Sequence, residues 1–309
     1  MRTAAASVAI GVSAIVVGLM GSITITGCGN AAHPQAAAVV ASTDVWGSVA
    51  RAITDGHVSV KSILTSAEAD PHTYEVSPVD DAAIADAALV VYNGGGYDPW
   101  VQRVLAAHPA IEAVDAYSLL PQAPPDGAGR PNEHVFYNLD VAKSVAAKIA
   151  AKLATIDPHN AADYRASAAQ FGRSADAIAD SEHAIATAHP RTAVIATEPV
   201  AYYLLAASGL VNRAPDSFLA ATENDDDPSP SDMAYVLDLI NNHQVSVLLV
   251  NPQTATSATN GVQAAAHSAG VPVTEVAETL PNGTDYLTWQ RNTVNSLAAA
   301  LRRADNHRS

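Results

Sequence analysis

From residue 139 to residue 188 the chain carries one glycine, Gly172, and one proline, Pro158, in a stretch rich in alanine. Such a run is built for helix, because alanine has the highest helix propensity and the two breakers leave long intervals uninterrupted. Two helices are therefore predicted, divided at Asp157-Pro158. The second, from about residue 160 to 188, would extend on the order of 40 Å at ~1.5 Å per residue. A helix of that length runs the whole extent of a two-lobed protein, so the segments on either side are expected to be folded units.

Both flanks show the same rhythm. Before the helical stretch, apolar runs of strand length at 38–41, 58–60 and 89–92 alternate with helix-like segments at 46–53 and 78–88. The second of these helices opens on Ser77-Pro78, a capping residue followed by proline at the first helical position. After the stretch, runs at 192–196, 245–250 and 271–276 repeat the pattern, with a helix-like 200–208 ended by Gly209. Alternation of this kind predicts an α/β fold, here two doubly wound parallel-sheet lobes joined by a long linker helix. The expected organisation is a leader at 1–27, a tether at 28–41, an N-terminal lobe at 42–138, linker helices at 139–188 and a C-terminal lobe at 189–309. Ligands of open parallel sheets sit at the carboxyl ends of the strands, where Gly94-Gly95-Gly96 marks one loop. No glycine-rich phosphate frame accompanies it.

The N-terminus predicts a chain that is exported from the cytoplasm. An apolar stretch at 4–20 follows Met1-Arg2, and Ile25-Thr26-Gly27 leads to Cys28, the only cysteine. The stretch is at the short limit for a span of ~20 residues and is weakened by Gly11 and Gly18. It reads as a signal peptide with a lipobox, resembling bacterial lipoproteins. That resemblance implies cleavage before Cys28, a lipid on its thiol, and anchoring to the outer face of the cytoplasmic membrane. A single cysteine also excludes a disulfide framework, a Cys-rich zinc module and a CxxC redox site. With 16 Lys and Arg against 31 Asp and Glu, the formal charge is -15. Loss of residues 1–27 removes only Arg2, so the mature value is 15 minus 31, or -16, and nucleic acid is excluded as a partner.

Chemistry must then come from His, Asp, Glu or hydroxyl groups. Of 11 histidines, most lie in tether, helix or turn contexts without paired ligand spacing. His72 differs: it lies in Asp70-Pro71-His72-Thr73-Tyr74-Glu75, on a loop after the strand-like 58–64 that would face the crevice between the lobes. His134, in Asn132-Glu133-His134-Val135, precedes the linker helices at the same boundary. Spacing alone does not bring the two together.

These two stretches, with Ala87-Ala88-Leu89-Val90-Val91-Tyr92-Asn93-Gly94, resemble the metal-specific solute-binding proteins of bacterial zinc and manganese ABC importers over about residues 41–301. The resemblance implies one divalent metal held in the interlobe cleft by about four side chains from both lobes. It assigns His72 and His134 from the first lobe, Glu198 of Thr197-Glu198-Pro199 at the head of a helix, and Asp285 of Gly283-Thr284-Asp285-Tyr286 at the head of the last helix. Read without it, Glu198 is a carboxylate at a helix N-terminus and Asp285 an ordinary N-cap. Glu278 follows the same strand and competes with Asp285.

Two imidazoles and two carboxylates offset a divalent charge and suit Zn²⁺, Mn²⁺ or Fe²⁺. Zn²⁺ is favoured by intrinsic affinity, whereas two departures from the zinc importers that the chain resembles, a Glu as third ligand and the lack of a long His-rich loop between His72 and His134, count against it. The implied partners are an ABC permease and its ATPase, the receptor is expected to be a monomer, and it is not an enzyme. A secreted zinc-dependent hydrolase, and an adhesin or metallochaperone on the same fold, are the alternatives. The acidic run at 223–227 either draws cations towards the crevice or is a solvated loop ending in a Ser/Asp helix cap. Trp46, Tyr74, Tyr97 and Trp100 either wall the crevice or pack elsewhere.

Overall fold

The computed structural model describes residues 39–66, 70–121, 132–224 and 226–308. The leader, Cys28 and most of the tether lie outside these residues. The first lobe runs β1 (Val39–Thr43), α1 (Asp44–Thr54), β2 (Val60–Leu64), α2 (Pro78–Ala85), β3 (Leu89–Tyr92), α3 (Pro99–Ala107) and β4 (Ala113–Asp115). The linker helices are α4 (Leu139–Ile156) and α5 (Ala161–Ala188). The second lobe begins β5 (Ala193–Ala196), α6 (Tyr202–Ala207), β6 (Val211–Asn212), α7 (Asp216–Glu223) and α8 (Pro230–Asn241). It ends β7 (Leu248–Val250), α9 (Ser257–Ala269), β8 (Val273–Glu275) and α10 (Tyr286–Arg308).

The two sheets have the same plan, β2-β1-β3-β4 and β6-β5-β7-β8, with every pairing parallel. In the first, Val39 lies opposite both Val60 and Leu89. The α/β architecture of two parallel-sheet lobes stands. β1 and β3 are buried along their whole length, which is why they read as continuous apolar runs. β4 and β6, of three and two residues, lie at sheet edges and are too short to carry a periodic signal.

The helix break falls at the Asp157-Pro158 step, where the Asp157 carboxylate accepts from Asn160 Nδ2 and Tyr164 Oη at 2.7 Å each. Ser77 caps α2 by accepting from the Asp80 amide, and Ser229 caps α8 in the same way. One hydrophobic core joins both lobes to the linker, including Trp46, Ile149, Phe171, Leu204 and Leu297. Among the described residues no helix is long and apolar enough to cross a membrane.

Hydrogen bonds fasten the lobes beside the crevice. The Tyr137 hydroxyl donates to the Ala277 carbonyl at 2.8 Å and accepts from the Ala277 amide at 3.2 Å. The Phe136 carbonyl accepts from Tyr286 Oη and Gln290 Nε2. The chain just after His134 is thereby tied to the chain just before Glu278.

Candidate metal centre

Three polar side chains of the second lobe follow the carboxyl ends of parallel strands. Glu198 comes two residues after β5, Asn251 one after β7 and Glu278 three after β8. In the first lobe the loop after β3 carries Tyr97. That loop turns through Gly94, Gly95 and Gly96, all at positive φ, and the Asp98 carboxylate accepts from the Asn93 and Gly94 amides at 2.7 and 2.8 Å. A Cβ on Gly94 would lie 2.1 Å from Asp115 Oδ1, so only glycine fits there.

His72 stands on a turn held by Asp70, whose carboxylate accepts from the His72 amide at 2.9 Å and the Thr73 hydroxyl at 2.6 Å. Its ring meets Tyr97 edge to face, centroids 4.9 Å apart. His134 is 2 % exposed. Asn132 Nδ2 donates to the Pro199 carbonyl at 3.2 Å, leaving Asn132 Oδ1 to face His134 Nδ1 at 3.0 Å. Nδ1 therefore carries the proton, and the lone pair is on Nε2.

That lone pair points at carboxylates. Nε2 lies 3.9 Å from Glu278 Oε2 and 3.8 Å from Glu223 Oε1, and among the described residues it makes no hydrogen bond. Burial, and secondarily the charge of His72, hold the His134 imidazole down to about 3, so it is neutral at any working pH. Burial, then the charge of Glu198, pushes the Glu278 carboxyl up to about 7. Burial, then Glu133, Glu278 and Glu198, does the same for Glu223. The cleft, about 560 Å³, gathers the carboxyl groups of Asp70, Glu133, Glu198, Glu223 and Glu278, with no lysine or arginine among its lining residues. A concentration of acids around a neutral imidazole is costly unless a cation neutralises it.

His72, His134 and Glu278 bring one ligand atom each within 4.8 Å of one another. Glu198, 4 % exposed, lines the same cleft. Asn251 Nδ2 bridges the two glutamates, donating to Glu198 Oε2 at 2.9 Å and Glu278 Oε1 at 3.0 Å, and the Thr254 hydroxyl donates to Glu198 Oε1. Tyr97 Oη donates to Glu278 Oε2 at 3.3 Å.

Asp285 is not brought to this group. It caps α10, accepting from the Thr288 amide at 2.9 Å and the Thr288 hydroxyl at 2.7 Å, so both carboxylate oxygens are engaged in the cap. Glu278, its competitor in the sequence, occupies the cleft instead. Of the four aromatics, Tyr97 alone touches His72 and His134. Trp46 donates to Asn93 Oδ1 within the core, while Tyr74 and Trp100 pack on each other. Asn251 and Glu223 were not singled out as site residues in the sequence. A one-residue offset from a strand end is the signal that would have found Asn251.

Comparison with known proteins identifies the family of the chain and the likeness of its fold. The family model described as "Zinc-uptake complex component A periplasmic" matches residues 39–300. The manganese-binding lipoprotein MntA of Halalkalibacterium halodurans is 26% identical over 168 residues, 53% of this chain and 56% of that protein, so the chain spans little more than half the length of this relative. The laminin-binding adhesin Lmb of Streptococcus agalactiae has a similar structure, with a TM-score of 0.72 at 20% identity over 86% of this chain and 99% of that one. The SBP FpvC of Pseudomonas aeruginosa, solved with Mn²⁺, gives 0.69 at 20% identity over 86% and 98%. At these identities the structural likenesses establish the fold.

Proposed function

The chain belongs to the family of periplasmic zinc-uptake components, and on that premise we propose that it captures one divalent transition-metal ion, zinc or manganese, between its lobes through His72, His134, Glu198 and Glu278. The observation that carries this reading is His134 Nε2, buried, deprotonated and facing carboxylates at 3.8 and 3.9 Å. A cation placed there converts a repulsive cluster into a coordination shell, with two neutral imidazoles and two carboxylates offsetting its charge. Four protein donors would fill a tetrahedral shell and leave no position for an activated water, which favours a receptor over a hydrolase.

On this reading the receptor is a monomer that delivers the ion to an ABC permease driven by its ATPase, from an anchor at Cys28 on the outer face of the cytoplasmic membrane. The resemblance of the N-terminal segment to a lipoprotein leader and the lipoprotein nature of MntA support the anchor. Stripped of metal and titrated calorimetrically with Zn²⁺ or Mn²⁺, the protein is expected to show one tight site per chain. Absence of a tight site for either ion would overturn the reading.

Asn251 has a distinct part. It touches both glutamates and holds their carboxylates at a common separation before any ion arrives. Asn251→Ala is expected to weaken metal binding about 10–100-fold, as loss of an outer hydrogen-bond partner commonly does, with the fold retained by circular dichroism. An affinity within twofold of the parent would show that the glutamates need no such bridge.

A further inference from the structure

We propose that Gln253 is a positioning residue for the metal centre: its side chain fixes the backbone of Glu278 and so sets where that carboxylate meets the ion. The inference rests on the reading of the cleft as a metal site with Glu278 among its ligands, and it names the group that holds that ligand in place.

The need for such a group comes from the sheet. The Val276 amide donates to the Val250 carbonyl at 2.9 Å, continuing the β7–β8 ladder one step past β8. On the neighbouring chain Pro252 follows two residues later, and proline has no amide hydrogen to give to a ladder. The amides of Ala277, Glu278 and Thr279 thus leave the sheet together, and a buried amide without a partner is costly. Two side chains take over from the ladder. Tyr137 Oη accepts from the Ala277 amide at 3.2 Å. Gln253 Oε1 accepts from the amides of Glu278 at 2.7 Å and Thr279 at 3.3 Å.

The carboxamide is matched to this task at both of its ends. Gln253 Nε2 donates to the hydroxyl of Thr279, a buried residue, at 2.6 Å, which turns Oε1 towards the backbone amides. The Gln253 amide donates to Asn251 Oδ1 at 3.1 Å, and Asn251 Nδ2 donates to Glu278 Oε1 at 3.0 Å. One turn therefore holds Glu278 at two points, its backbone through Gln253 and its carboxylate through Asn251. The same turn reaches Glu198 by other side chains, those of Asn251 and Thr254.

The test is Gln253→Met, which keeps the length of the side chain and removes its acceptor and donor at a partly exposed turn position. Parent, Gln253→Met, Glu278→Gln, Glu198→Gln and the two double variants are titrated with Zn²⁺ at pH 8, with circular dichroism and melting to confirm folding. Gln253→Met is expected to lose about tenfold or more in affinity, as loss of an outer hydrogen-bond partner commonly costs. In the Glu278→Gln background the same change should cost less than about threefold, because the charged ligand it positions is gone. In the Glu198→Gln background the full loss should persist. Gln253→Ala repeats the cycle and separates loss of the carboxamide from any effect of the methionine side chain. A general loosening of the cleft would give equal losses in both backgrounds; that result, or an unchanged affinity in Gln253→Met and Gln253→Ala, would overturn the inference. A Glu278→Gln variant that binds like the parent would overturn it by removing Glu278 from the shell. A parent that binds no Zn²⁺ and no Mn²⁺ would instead overturn the metal-site reading, and the inference with it.

Discussion

Replacing His134 with alanine is expected to abolish tight metal binding, weakening it by about 10³-fold or more, which corresponds to ~4 kcal/mol. The size of the effect follows from the state of the side chain before the ion arrives. Asn132 fixes the ring and its tautomer, burial keeps it neutral, and Nε2 is already aimed into the cleft. Little ordering or deprotonation is left for the ion to bring about, so removing the ring forfeits nearly all of its contribution. The metal-free variant should still fold, because the hydrogen bonds that fasten the lobes run through Phe136, Tyr137 and Asn132 backbone or side-chain groups rather than the imidazole. Melting with and without metal separates binding from folding. Parent protein at a metal concentration 100 times Kd should gain ~2.7 kcal/mol, and the variant under the same conditions should gain almost nothing. A variant that binds within tenfold of the parent would remove His134 from the site.

Much of this arrangement was legible in the chain itself. The glycine-poor stretch at 139–188 announced the linker helices, and buried strands such as Leu89–Tyr92 announced the sheets, because apolar runs and helix breakers are local signals. His72, His134 and Glu198 were picked out through family resemblance, and the structure places all three at the cleft. The fourth position was harder to read. Glu278 and Asp285 both follow the last strand, and Asp285 sits in a stronger local pattern, an acid heading a long helix beside an aromatic residue. That pattern is a cap, and the Thr288 hydrogen bonds complete it. What separates the two is distance along the chain from the strand end, three residues from Glu275 against ten, because side chains that line a crevice of parallel strands must leave the sheet promptly. Glu223 entered only as the first residue of the acidic run at 223–227, which the sequence left between the crevice and a solvated loop. Its approach to His134 depends on a contact between Thr222 and Thr197, residues 25 apart, that no local pattern encodes.

The acidity of the cleft makes metal capture pH-dependent through a carboxyl group rather than through His134. In the proposed site coordination needs the Glu278 carboxylate, and in the metal-free protein burial, then the charge of Glu198, pushes that carboxyl up to about 7. Below pH 7 the ion must displace its proton, so the logarithm of affinity is expected to fall by about one per pH unit on account of Glu278 and to level off above. His134, held down to about 3, adds nothing to this slope between pH 5 and 8. The same shift acts on the metal-free fold with the opposite sense. A folded-state value of about 7 against an ordinary 4.5 gives stability that is present below pH 4.5 and lost as pH rises through 7. The increase in melting temperature on adding metal should therefore be larger at pH 8 than at pH 5.5. Glu278→Gln is expected to lower affinity at pH 8 about 100-fold and to reduce the pH slope by one proton, consistent with loss of a charged ligand worth ~2.7 kcal/mol. Asp285→Asn should leave affinity and slope within twofold of the parent, and its cost, on the order of 0.5–1 kcal/mol at most, should fall on the cap of α10. Titration of both variants at pH 5.5, 7 and 8 decides between the two acids. If Asp285→Asn loses the ion and Glu278→Gln keeps it, the shell closes at the head of α10 and the carboxylates facing His134 serve only to draw the cation in.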